Sequence, residues 1–293
     1  MKQYSRRNAL GLMGGVMTGG AIASLIPPAL AATAPEGNQA SAPTTTQFGE
    51  RFKQSGGDFS WKPQKLDPVE VAAVAHAGFW HQGYACSYGV LYSIIGLIGE
   101  RYGAPYKDFP FSMMTFGRGG IAEWGGTCGA LLGAAATLAL FYPRKELDVL
   151  INELFRWYEI TAFPLYKPNP GTAKVDGPLP TSISDSILCH ISVGKWCAAS
   201  KIDARGAERG ERCARVTVDV ALKTLELIQA KMDGKFTPML KQSEVYAGCT
   251  VKGCHGENRK DWQHSGLLGR MDCTPCHTGS KAVLDKLQNH PKR

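Results

Sequence analysis

Apolar residues recur at helical spacing from about residue 68 to residue 232, and the period-two alternation of a half-buried strand is essentially missing. Asp67-Pro68-Val69-Glu70 opens the first run. Asp67 can cap a helix, Pro68 suits its first position, and Glu70 completes a capping pattern. This run predicts a helix to about residue 82. A second helix is predicted over 85–101, with Val90, Leu91, Ile94, Ile95 and Ile98 on its apolar face and an end near Gly103. Residues 127–142 are Ala/Leu-rich and apolar almost all round, which puts a third helix at the centre of a bundle. Pro143 stops it. Residues 144–160 are amphipathic through Leu147, Leu150, Ile151, Leu154, Phe155 and Tyr158. Residues 164–180 carry five prolines and read as a long loop. Residues 181–200 are mixed and predict a turn with a short helix. Residues 207–232 predict a long helix closed by Gly234. The expected fold class is all-α: a helical bundle over 67–235, then a small irregular segment over 236–293. In that segment apolar residues thin out and Gly, Lys, His and Cys dominate, so it cannot bury itself without a cofactor.

Two stretches precede the bundle. Ser5-Arg6-Arg7-Asn8-Ala9-Leu10 is a twin-arginine sequence, a Gly/Ala-rich apolar stretch follows it, and Ala29-Leu30-Ala31 is a small-x-small cleavage site. Residues 1–31 therefore read as a twin-arginine signal peptide, which directs the chain to the periplasm. Residues 32–66 are rich in Pro, Thr, Ser, Gly and Gln and read as a flexible linker. No later stretch is long and apolar enough to span a bilayer, so a membrane span in the mature protein is not expected. The formal charge of +8 falls to +5 once Lys2, Arg6 and Arg7 leave with the signal. No Lys/Arg cluster with interleaved aromatics occurs, which excludes a nucleic-acid surface.

The chemistry lies in the nine cysteines. Cys273-Thr274-Pro275-Cys276-His277 is a C-x-x-C-H motif, and Cys249-Thr250-Val251-Lys252-Gly253-Cys254-His255 is its looser C-x4-C-H form. The spacing follows from haem c attachment: two sulfurs add to the vinyl groups, and the next residue places an imidazole under the iron. A zinc ribbon also uses two short cysteine pairs, but it does not require His directly after the second Cys of both. The motifs predict two covalent haems, with His255 and His277 as proximal ligands. His76, His81, His190, His264 and His290 remain as candidates for the opposite positions.

Cys86, Cys128, Cys189, Cys197 and Cys213 stand outside these motifs. Cys128 sits among glycines at a predicted helix start, where the helix N-terminus favours a thiolate. Buried thiols and disulfides are the ordinary readings of such cysteines. The sharper reading is an iron-sulfur cluster, for example [2Fe–2S], on Cys86, Cys128, Cys189 and Cys197. It agrees with the signal: the twin-arginine route carries folded proteins, and haem c, attached after export, does not need it. Cys213, inside the long helix beside Arg212 and Ala214, reads as a core thiol.

Taken together, Cys86, Gly126-Thr127-Cys128-Gly129-Ala130-Leu131-Leu132-Gly133, Cys189, Cys197 and the two terminal motifs resemble the split-Soret cytochromes c, whose helical part is similar to the wider C-GCAxxG-C-C redox family. The likeness runs from about residue 66 to residue 277. One departure is visible, since Thr127-Cys128-Gly129 stands where the family pattern has Gly-Cys-Ala. The resemblance implies a homodimer with two nearly parallel haems in close contact in each subunit. It implies two histidine ligands on each iron, one of them from the other subunit, which leaves His76, His190 and His264 as the distal shortlist. It also implies a non-haem iron-sulfur centre on cysteines of the helical part. The expected function is electron transfer, with redox partner proteins that the sequence does not name. The alternatives are a haem- or cluster-dependent small-molecule reductase and a redox sensor. No nucleophile–base or paired-carboxylate constellation supports a catalyst.

Overall fold

The computed structural model describes residues 61–242 and 270–271. Residues 1–60, both haem motifs, His264 and His290 lie outside the described residues. The end of the expected 32–66 linker is packed rather than flexible: Leu66 is buried in the core, and the Tyr106 hydroxyl donates to the Lys62 carbonyl at 2.8 Å. Helix α1 is Pro68–Trp80; Asp67 caps it by accepting a 2.9 Å hydrogen bond from the Val69 amide. It ends two residues before the predicted position, because Gln82 and Gly83 take positive φ angles and turn the chain into α2, Ala85–Leu91. The predicted 85–101 helix is present as α2, a π-helical turn over Tyr92–Gly96, and α3, Leu97–Tyr102. Gly103, at φ 74°, stops it.

Helix α4, Gly129–Phe141, buries Ala130, Leu131, Ala134, Thr137 and Leu138 between α2 and the last helix, α7, Ala207–Met232. Gly133 permits this approach: a Cβ there would stand 2.4 Å from the Ser87 carbonyl oxygen. Helix α5, Arg144–Ile160, covers α4 with Leu150, Leu154 and Tyr158, four residues apart and fully buried. Two short strands follow. Strand β1, Ala162–Phe163, pairs antiparallel with β2, Ser182–Ile183. Helix α6 runs over Cys189–Ser200, a full helix where the sequence suggests a short one. The prediction underrates it because its stability comes from tertiary contacts: Trp196 is fully buried and its Nε1 donates to the Pro180 carbonyl at 2.7 Å.

The proline-rich loop 164–180 is held by a stripe of buried charge on α7. Glu211, Arg215 and Asp219 are spaced one helical turn apart. Asp219 accepts the amides of Leu165 and Tyr166, both at 2.8 Å. Arg215 donates to the Val175 and Gly177 carbonyls at 2.7 and 2.8 Å. Glu211 accepts from Arg215 Nε at 2.9 Å, His76 Nε2 at 3.0 Å and the Lys174 amide at 3.1 Å. The side chains of Glu211, Arg215, Asp219 and His76 are buried and each is paired, as a polar interior requires. Among the described residues no helix is long and apolar enough to cross a membrane.

Candidate metal centre

The link between residue 117 and α4 takes an unusual path. Gly119, Gly120, Ile121, Ala122 and Glu123 all have φ between 47° and 72°, and Gly125 follows at 73°. A left-handed run of side-chain-bearing residues costs roughly 1–2 kcal/mol each, so the surroundings must hold it. They do so with backbone bonds from Ala122 to Phe116, Glu123 to Arg118, Gly125 to Gly119 and Gly126 to Gly120, at 2.8–3.0 Å. The turn brings the Gly119 amide to the Cys86 sulfur and lays Gly120 on Cys189, where a Cβ would stand 2.8 Å from that of Cys189. The next residues are stitched to the start of α6. Thr127 bridges Leu188, the Cys128 amide donates to the Ile187 carbonyl at 2.8 Å, and the Cys189 amide donates to Gly126 at 2.6 Å. Gly129 completes the fit, since a Cβ there would lie 2.5 Å from Cys86 Sγ and 2.3 Å from the Gly117 carbonyl. Close approach of the Cys86 sulfur thus explains the glycine after Cys128.

These contacts build a cavity of about 260 Å³ lined by Cys86, Cys128, Cys189 and Cys213. The grouping differs from the one the sequence suggests. Cys197, further along α6, does not line the cavity, and Cys213 on α7 takes a place in its wall. Tyr158, Ser192 and Arg212 add polar groups to the wall, while Arg118 and Glu123, 3.7 Å apart and exposed, stand at the rim. No disulfide joins any of the five helical-domain thiols.

Electrostatics favour an anionic guest. Burial pushes the Cys86 thiol up to about 12, with the neighbouring Cys128 and Cys213 thiols adding to the shift. Cys128 and Cys189 are raised for the same first reason, burial. Against this, the neighbouring Tyr158 hydroxyl and the Ala130 amide in the first turn of α4 pull the Cys128 thiol back down. Arg212 is 2 % exposed; its Nη2 donates to Ser192 Oγ at 2.8 Å, its Nη1 lies 3.9 Å from Cys213 Sγ, and its Nε has no partner. Burial alone would weaken its hold on the proton, but the thiols of Cys213 and Cys128 and the Tyr158 hydroxyl outweigh this and raise its pKa. Neutral thiols must lose protons when they take a metal, and the buried cation and helix-start amides assist that loss. Among the described residues no three metal-binding side chains close on a single point. Four sulfurs spread around an open cavity suit a group of several atoms better than one ion.

The shortlisted histidines occupy different environments. His76 is buried with its Nε2 on Glu211. His190, the residue after Cys189, is exposed. Its Nδ1 donates to the Gly125 carbonyl at 2.7 Å, which leaves Nε2 as the bare nitrogen of the neutral ring. His81 stacks on Tyr88. The chain that carries the haem motifs is tied to α5 on both sides of the first one. Glu153 accepts the amides of Met239 and Leu240 at 3.1 and 2.9 Å, and Ser186 Oγ lies 3.9 Å from Met271 Sδ. Gln242 and Arg270 line one cavity against Ile151 and Phe155.

Comparison with known proteins agrees with this arrangement. Residues 84–227 match the family described as "Putative redox-active protein (C_GCAxxG_C_C)". Over 243 residues the chain is 50% identical to a split-Soret cytochrome c of Desulfovibrio desulfuricans (strain ATCC 27774 / DSM 6949 / MB), covering 82% of this chain and 86% of that protein. A solved structure, described as showing a novel iron centre in the split-Soret cytochrome c from Desulfovibrio desulfuricans ATCC 27774, superposes with a TM-score of 0.74 at 49% identity. The match covers 82% of this chain and 100% of the other. With half its residues shared over four fifths of its length, a common helical fold and four of the five thiols of the matched region drawn into one cavity, the chain belongs to the split-Soret cytochromes c.

Proposed function

We propose that the protein is a periplasmic dihaem c-type cytochrome that transfers electrons and holds a second redox group, an iron-sulfur centre, in its cysteine cavity. The observation that carries the second half is the wall of that cavity. Four thiols from four separate elements converge on it beside a buried arginine with no carboxylate in ion-pair contact among the described residues. The relative's novel iron centre supports the same reading. Haem c and an iron-sulfur centre supply one-electron chemistry when bound. The chain holds them. Cys249, Cys254, Cys273 and Cys276 are the attachment points, and His255 and His277 the proximal ligands. Cys86, Cys128, Cys189 and Cys213 are the ligands of the buried centre, with Cys213 in the place that sequence spacing gives to Cys197.

His190 is the favoured distal ligand, in keeping with a homodimer in which it reaches a haem of the other subunit. A ligating histidine commonly fixes its second nitrogen on a carbonyl, and His190 does so through Gly125. His76 is occupied by Glu211 and serves the fold instead. Cys189 and His190 are consecutive, so the cavity wall and the outer surface are one peptide apart. Two fully ligated haem irons leave no position for a substrate, which favours electron transfer over reduction of a small molecule. The test is iron content and carbon monoxide binding in anaerobically purified protein. Cys213→Ser is expected to lose the non-haem iron and Cys197→Ser to keep it, with neither binding carbon monoxide rapidly. Iron lost from Cys197→Ser and kept in Cys213→Ser would overturn the ligand set. Rapid carbon monoxide binding by the parent would overturn the electron-carrier reading.

A further inference from the structure

Arg212 and Arg215 lie on the same face of α7 and are equally buried, yet they are treated differently. Arg215 is balanced by Glu211 and by two carbonyls. Arg212 has no carboxylate within ion-pair distance among the described residues. The nearby acids are held elsewhere: Glu211 by Arg215 and His76, Glu123 by Arg118 at the rim, and Asp219 by two amides, so that Asp219 feels Arg212 only beyond ion-pair distance. A buried guanidinium without a counter-ion is strongly disfavoured, so its position makes sense only if the balancing charge comes from somewhere else. What faces it is the cavity: Cys213 on one side and Ser192 on the other. Ser192 Oγ lies 2.9 Å from the Tyr158 hydroxyl, which shares the cavity wall with Cys128 and interacts with its sulfur.

We infer that Arg212 is the positioning residue that sets the reduction potential of the centre held by the cysteine cavity, as its buried counter-charge and as the head of a donor chain through Ser192 and Tyr158 that touches both Cys213 and Cys128. This rests on the iron-centre reading above. The sign follows from charge. One-electron reduction adds a negative charge to the group in the cavity, and a fixed cation beside it stabilises the reduced form. Hydrogen bonds to ligand sulfurs act in the same direction. Arg212 therefore holds the potential up.

The experiment is an anaerobic potentiometric titration of the holo-protein, with the non-haem centre followed by electron paramagnetic resonance and the haems by absorption. Arg212→Gln is expected to shift the oxidised-to-reduced ratio of that centre at fixed potential by at least about tenfold toward oxidised, a fall of about 59 mV for a one-electron couple. The haem potentials are expected to stay in place, and Arg212→Lys to recover most of the shift. An unchanged potential in Arg212→Gln, with iron bound, overturns the inference and leaves the iron-centre reading standing. Absence of non-haem iron from the parent overturns both. Should Arg212→Gln fail to fold, Tyr158→Phe decides: it removes one donor and no charge, so a fall in the same direction supports the chain, and a parental potential refutes it.

Discussion

Replacing Glu211 by Ala tests the buried charge on α7 most severely. Glu211 is fully buried and is the common acceptor for Arg215, His76 and the Lys174 amide. Its removal leaves Arg215 as a buried cation on two carbonyls, strips His76 Nε2 of its partner, and releases one anchor of the 164–180 loop. Breaking a buried ion pair by deleting one member costs about 3–5 kcal/mol. The two other groups left without an acceptor put the loss at the upper end of that range. At roughly 2–4 °C per kcal/mol for a domain of this size, the midpoint of thermal unfolding falls by roughly 10–20 °C. The assay is thermal unfolding of the holo-protein followed by far-ultraviolet circular dichroism, with guanidinium unfolding to confirm the free energy. Pairing Glu211→Leu with Arg215→Met removes both charges and is expected to cost less than Glu211→Ala alone, because no orphaned charge remains. Throughout, the haem absorption stays parental, since His76 serves the fold. A loss under about 1 kcal/mol in Glu211→Ala, where surface substitutions normally fall, or a changed haem spectrum, refutes the reasoning.

The other expectations follow from the same contacts. Burial lifts Asp219 to about 7 against the pull of two amides and two arginines. The folded chain then keeps a proton that the unfolded chain has lost between about pH 4 and pH 7, so this group's contribution to stability declines as pH rises through that window. Guanidinium midpoints of the parent and Asp219→Asn at pH 5 and 7.5 check it, and the same pH dependence in both proteins would refute it. Gly129→Ala forces a Cβ against Cys86 Sγ and the Gly117 carbonyl and is expected to cost about 1–3 kcal/mol and lower iron occupancy. Gly194→Ala, in the open middle of α6, is expected to stabilise by about 0.5–1 kcal/mol. Parallel urea titrations check the pair. His190→Ala is expected to open one haem to carbon monoxide while His76→Ala does not, as difference spectra would show.

What was legible beforehand depended on where the information lies. Helices α5 and α7 can be read end to end because their apolar stripes are strong: Leu150, Leu154 and Tyr158 on one, Val216, Val220 and Leu225 on the other. Helix α6 has no such stripe, and its order comes from Trp196 and Pro180 meeting across the fold. The grouping of Cys86, Cys128 and Cys189 is visible in the spacing of cysteines and glycines. The place of Cys213 is not, because its neighbours in sequence are an arginine and an alanine of a helix, and only the packing of α7 on α2 and α4 turns it to the cavity. One signal was available for the buried network. Glu211, Arg215 and Asp219, one turn apart opposite a proline-rich loop, form a charged stripe that an amphipathic reading assigns to solvent. The loop's free amides and carbonyls show why it is buried instead.

The most direct test is a count of covalent haem by mass spectrometry and of total iron by elemental analysis, on chain matured and purified without air. The account predicts two haems per chain and iron in excess of those two haem irons, with the excess lost when Cys86 or Cys128 is replaced by Ser. A chain whose iron is accounted for by its haems alone, or whose four terminal cysteines are free or bound to zinc, would contradict it.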